Sequence, residues 1–166
     1  MNGVTTIQSG LPLSLTGNNG NNAYGITNDR GQLASGCTYA DLITSGSVQD
    51  RLNGYFNRNC ILRNAAGTAI WLPIEAGSTA TNFGNSGVGI VSGPGQNNTD
   101  LAIIKRTRFP LFGESSNIEF RTEFFNLFNT PQFAAPVTSV TSATFGVISA
   151  TSVNPRIIQF GIKLNF

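Results

Sequence analysis

From Ile158 to Phe166 the residues alternate between apolar and polar without a break. Ile158, Phe160, Ile162, Leu164 and Phe166 fall on one side, and Gln159, Gly161, Lys163 and Asn165 on the other. A period of two puts successive side chains on opposite faces of an extended chain, so this stretch reads as a β-strand between two different environments. Any fold built from the chain has to supply both.

Three more segments share the pattern. In residues 118–128, Ile118, Phe120, Thr122 and Phe124 oppose Glu119, Arg121 and Glu123. In residues 100–109, Leu101 and Ile103 oppose Asp100, Ala102, Arg106 and Arg108, and Ile104 breaks the alternation. In residues 4–16, Ile7, Leu11, Leu13 and Leu15 oppose Thr6, Gln8, Gly10 and Ser14, with Pro12 marking an interruption or an edge. The strands expected are therefore 4–16, 100–109, 118–128 and 156–166. Each is near the roughly 9–11 residues that a tilted strand needs to cross a bilayer.

The connections between them are unequal. Residues 110–117 (PLFGESSN) make a short turn, whereas 17–97 and 129–155 make long loops rich in Gly, Asn, Ser and Thr. Structureless loops beyond about 12–15 residues are uncommon in compact domains. Outer-membrane barrels alternate short periplasmic turns with long external loops, and one orientation satisfies all three connections. The fold class expected is all-β: antiparallel strands forming the last part of a transmembrane β-barrel, with 17–97 and 129–155 outside. A soluble β-sandwich binding or adhesion module, its apolar faces packed together, is the alternative. Within the long loop, residues 47–59 are expected to form a short helix, with Ser47 and Asp50 as a capping box.

Composition supports an export route. Charged residues make up only 11% of the chain, against about 25% in ordinary globular proteins. A net charge of +2 with scattered basic residues gives little for nucleic acid to bind. The first ten residues lack a basic start and an apolar run, so an export signal is expected upstream of them. Cys37 and Cys60 are compatible with a disulfide in an oxidising compartment or with two free thiols. A disulfide requires their Cα atoms to lie within about 7 Å.

Enzymatic chemistry finds little to work with. There is no histidine, which removes His-based triads and His-containing metal sites. Asp29, Asp41, Asp50 and Glu75 lack calcium-loop spacing. Glu119 and Glu123 sit about 13 Å apart if on one strand, beyond the roughly 6.5–9.5 Å of an inverting glycosidase pair. With Arg106, Arg108 and Arg121 they read as a lumen-facing charge row, the arginines of one strand facing the glutamates of the next. The glycine-rich run at 84–95 (GNSGVGIVSGPG) lacks the Lys-Ser/Thr ending of a phosphate loop. No catalytic residue, cofactor or metal is expected.

Residues 159–166 (QFGIKLNF) resemble the β-signal of outer-membrane proteins, with Gln159, Gly161, Leu164 and Phe166 filling its places and Leu164 standing where an aromatic is common. The resemblance implies recognition by the barrel assembly machinery. More widely, SGLPLSLTG (9–17), SVQDRLNGYFN (47–57), GPGQNNTDLAIIK (93–105), FRTEFFNLFNTPQF (120–133) and residues 145–166 resemble the end of a TonB-dependent receptor of the Oar-like, carboxypeptidase-regulatory-domain type. The most specific stretch is E-x-FNLFN-x-P-x-F at 123–133. Membership implies a plug and a barrel of roughly 22 strands, of which this chain would supply the closing strands and external loops as a fragment. The partners implied are the rest of the barrel, its plug, the assembly machinery and outer-membrane lipid. The transported ligand is not written in these residues.

Overall fold

The computed structural model describes residues 1–18, 28–62, 84–108 and 116–166. They fall into two compact units: residues 1–9, 95–133 and 151–166 form the first, and 10–94 with 134–150 the second. The expected turn at 110–117 lies almost wholly outside the described residues, as does Glu75.

The elements run β1 (Asn2–Gln8), β2 (Pro12–Leu13), β3 (Thr16–Asn18), β4 (Asn28–Arg30), β5 (Val91–Ser92), β6 (Gln96–Arg108), β7 (Asn117–Phe125) and β8 (Ile157–Asn165). The first unit is one antiparallel sheet in the order β1-β6-β7-β8. Gln8 pairs with Gln96, Leu101 with Phe124, and Phe125 with Ile157. The chain therefore leaves β1 and β7, and enters β6 and β8, at the same end of the sheet. Both long connections depart from that end, and the short one joins β6 to β7 at the other.

The strand expected at 4–16 is divided. β1 stops at Gln8, and the chain passes into the second unit, where Gly10 lies against Gly93 so closely that a Cβ would come within 1.7 Å of the Gly93 carbonyl oxygen. Leu15 is fully buried there instead of sharing an outer face with Ile7, which is 79% exposed. β6 begins four residues earlier than expected. β7 ends three residues earlier, because Asn126 adopts φ 51°, a left-handed conformation that no strand accommodates.

The stretch read as an external loop at 17–97 is not one open loop. Most of it belongs to the second unit, whose core is Leu15, Leu42, Phe56, Ile61, Val140 and Phe145, all nearly inaccessible to solvent. Phe56 and Phe145 stack with centroids 5.3 Å apart. The strand pairs β2–β5 and β3–β4 are only two and three residues long. The helix expected at 47–59 is replaced by separate 3-10 turns at Gln49–Arg51 and Arg58–Cys60. Only half of its capping box forms: Asp50 N donates to Ser47 Oγ at 3.3 Å, but the Asp50 carboxylate accepts from the Ser47 hydroxyl and not from its backbone N. A helix cannot continue because its backbone partners are taken. Tyr55 N donates to Gly146 O at 2.9 Å, and Leu52 O accepts from Ile148 N at 2.7 Å.

Candidate membrane-facing sheet and its charged face

Direct pairing across the sheet places side chains in rows. Thr107, Ile118 and Leu164 form one, followed by Lys105–Phe120–Ile162, Ile103–Thr122–Phe160 and Leu101–Phe124–Ile158. These four rows make an apolar face. Phe160, Ile162 and Leu164 remain 67%, 71% and 56% exposed, and among the described residues no second sheet covers them. In a sandwich arrangement these side chains would be core. Phe120 and Phe160 stack obliquely across β7 and β8, with centroids 6.2 Å apart.

The opposite face carries charge. Arg106 pairs with Glu119, Ile104 with Arg121 and Ala102 with Glu123 on the β6 side; Lys163, Gly161 and Gln159 meet the same β7 residues from β8. The break at Ile104 thus reflects one apolar side chain on the charged face, opposite Arg121. Arg106 Nε donates to Glu119 Oε2 at 2.6 Å, and Arg121 lies 3.6 Å from Glu119 and 3.4 Å from Glu123. The charge row therefore runs Arg106–Glu119–Arg121–Glu123. Arg108 shares the face but sits opposite Asn117, so of the two β6 arginines expected to face the glutamates, only Arg106 stands directly opposite one. Glu123 is served by Arg121 of its own strand, because residues two apart share a face.

The β-signal residues divide between the two faces. Gln159 and Gly161 stand on the charged side, whereas Leu164 is on the apolar side opposite Ile118. Phe166 lies beyond β8 and is 91% exposed. A Cβ on Gly161 would meet only the Arg121 Cβ, at 4.0 Å, an ordinary contact. Within the described sheet, no steric requirement calls for glycine there.

The FNLFN-x-P-x-F stretch has a physical basis that sequence reasoning missed. Asn126 and Asn129 both adopt left-handed φ, 51° and 52°, a conformation Asn tolerates better than most residues. Asn126 is nearly buried and makes a node: its N donates to Asp100 Oδ1 at 2.9 Å, its Oδ1 accepts from Thr130 N at 3.0 Å, and its Nδ2 donates to Thr130 O and Asn154 O. Asn129 Oδ1 accepts from Arg156 N at 2.9 Å, just before β8 begins. The stretch thus ties the end of β7 to β6 and to the entry of β8. Two asparagines three apart ahead of a proline were the available signal.

In the second unit, Cys37 and Cys60 form a disulfide with their Cα atoms 5.5 Å apart. Nearby, the Asp41 carboxylate accepts from Thr38 Oγ1 at 2.6 Å and Thr38 N at 2.8 Å, bonds that hold its pKa below the usual value. Burial pushes the Tyr55 phenol up, partly offset by Arg51, whose guanidinium lies 4.5 Å from the ring centroid. Among the described residues no cluster of three or more His, Cys, Asp or Glu could hold a metal ion. No described helix is long and apolar enough to cross a membrane.

A family model described as an outer membrane beta barrel domain matches residues 1–159. No curated protein and no solved structure matches the chain. The match spans β1, β6, β7 and the start of β8, together with the second unit, and stops at Gln159, short of Gly161, Leu164 and Phe166. Two-faced antiparallel strands with an uncovered apolar side are what such a domain needs in a bilayer. The chain belongs to the outer membrane beta barrel domain family, an all-β protein of the outer membrane.

Proposed function

We propose that this chain forms part of the wall and the external loops of a TonB-dependent receptor or transporter of the Oar-like type. The observation that carries the reading is the four-stranded sheet, apolar on one face and charged on the other, with β1 and β8 as its two edges. The smallest membrane barrels use about eight strands, so this sheet needs further strands to close. Unpaired backbone groups at its edges each cost several kcal/mol in lipid. The apolar face meets lipid and the Arg106–Glu119–Arg121–Glu123 row meets the lumen. The chain carries no catalytic role. The TonB-dependent assignment is supported by the FNLFN-x-P-x-F stretch and by the two long connections that leave the sheet from the same end.

Two experiments test this. The first is retention of the complete barrel protein by an immobilised periplasmic domain of TonB. Specific retention is expected, and its absence, together with no plug encoded upstream of Met1, rejects TonB coupling while leaving the barrel reading intact. The second addresses assembly through the β8 edge. Phe166→Ser is expected to lower the heat-modifiable, folded protein in purified outer membranes while synthesis and export continue. Equal folded levels in both proteins would remove the assembly role of Gln159, Gly161, Leu164 and Phe166.

A further inference from the structure

Lys105 is the one charged residue of the four long strands that stands on the apolar face. It pairs directly with Phe120, with Ile103 and Thr107 before and after it on the same side of β6. The other charged residues of these strands, from Asp100 to Lys163, all fall on the opposite face by the same register. No carboxylate of the described strands shares the face with Lys105, and no described ion pair includes it. Its counter-charge has to come from outside the sheet.

A lysine facing lipid is strongly disfavoured at the bilayer midplane and nearly tolerated close to the interface. That difference places Lys105 near an interface. The distance agrees: Lys105 is three residues from Arg108, the last residue of β6, or about 10 Å along a strand. At a strand tilt of about 40° the depth is about 7–8 Å. An extended lysine stem reaches roughly 6 Å, lying along apolar surface while its ammonium seeks the polar layer. The end in question is the one with the short β6–β7 connection, which barrels turn toward the periplasm.

We infer that Lys105 is a phospholipid-binding residue: its stem lies over Phe120 and its ammonium pairs with a headgroup phosphate of the periplasmic leaflet. The inference rests on the barrel reading above. It adds a specific lipid contact and a depth marker for β6 to a face that otherwise takes hydrocarbon of any kind.

The test uses the complete barrel protein, purified in detergent and titrated with phosphatidylglycerol while lipid adducts are counted by native mass spectrometry. Heat-modifiability is recorded first for every variant, so that failure of the barrel is distinguished from failure of the lipid site. Lys105→Gln is expected to bind the first phosphatidylglycerol about fivefold more weakly, the effect of one lysine near an anionic surface. Lys105→Arg is expected to restore binding, and Lys163→Gln, on the other face, to leave it unchanged. Unaltered binding in a folded Lys105→Gln protein overturns the inference. So does a loss confined to lipid A with phosphatidylglycerol unaffected, because that assigns Lys105 to the outer leaflet.

Discussion

The Gln132 side chain brackets the backbone of Asn97: its Oε1 accepts from Asn97 N at 2.6 Å and its Nε2 donates to Asn97 O at 2.7 Å. A carboxamide has one acceptor and one donor at nearly the spacing of a peptide group, so here a side chain continues the ladder where β7 has already ended. Gln132 is 2% exposed, and its own carbonyl accepts from Ser152 N at 2.7 Å. Replacing it leaves polar groups without partners. Gln132→Ala is expected to destabilise the folded barrel by about 1–3 kcal/mol, measured by urea unfolding of refolded protein. Gln132→Glu should recover little, since a carboxylate cannot donate to Asn97 O.

The two left-handed asparagines should respond differently to glycine. Asn126→Gly keeps the backbone conformation but loses the bonds to Thr130 and Asn154, so glycine and alanine should both destabilise, alanine more. Asn129 makes its described side-chain bond to Arg156 N, so Asn129→Gly should be milder than Asn126→Gly. Parallel unfolding curves of the three variants check the order, and equal effects at both sites would contradict the node at Asn126.

Face assignment gives a sharp contrast between adjacent residues of β8. Phe160→Arg puts charge among lipid-facing side chains and is expected to cost about 2–4 kcal/mol if near the midplane. Gln159→Arg adds the same charge beside Glu123 and should change stability by less than about 1 kcal/mol. Refolding yield into vesicles and unfolding midpoints read the difference. Equal costs would mean that the two faces do not meet different solvents.

The disulfide should govern the second unit and not the sheet. Its cysteines are 23 residues apart in sequence, and closing such a loop in the unfolded chain stabilises by about 3 kcal/mol. Cys37→Ala with Cys60→Ala is expected to make the second unit protease-sensitive while β1, β6, β7 and β8 remain heat-modifiable. Limited proteolysis of intact cells, followed by gel analysis of the barrel, separates the two outcomes.

Asp41 adds a pH dependence to the same unit. Its folded pKa lies below the usual value near 3.8, so the charged form is favoured by folding. The stabilisation is present above the unfolded pKa and is lost as pH falls through the lower, folded one. The protection factor of the Thr38 amide, its exchange corrected for the intrinsic pH dependence, should therefore fall below about pH 4, and Asp41→Asn should flatten that response. An unchanged profile in the variant would show that Thr38 is held by something else.

The sheet was readable because pleating copies sequence parity directly into space. Ile118, Phe120, Phe124, Ile158, Phe160, Ile162 and Leu164 share a face because they share a parity within paired strands. The second unit left no such trace. Leu15, Leu42, Phe56, Val140 and Phe145 are brought together by turns and by strand pairs two or three residues long, with no spacing for a periodic pattern to report. Arg108 and Glu123 show a further limit: parity puts them on one face, but only the register decides which arginine reaches which glutamate. The Asn126–Gln132 region was recognised as a specific motif, and its reason lay in backbone φ and in bonds to residues far away in sequence.

Phe160 and Phe145 are both phenylalanines in this chain, yet substitution should treat them by different rules. Around Phe145 the neighbours are fixed side chains, and its ring stacks on Phe56; there a change of shape opens a void or forces a clash, even when hydrophobicity is kept. Phe160 faces a fluid whose molecules rearrange around any apolar outline, so leucine or isoleucine should serve nearly as well. Over evolutionary time the wall is then free to drift in volume while conserving polarity, and the disulfide-linked unit is held to volume and geometry. One gene would carry two substitution clocks, interleaved along the sequence at the joins between residues 9 and 10, 94 and 95, 133 and 134, and 150 and 151.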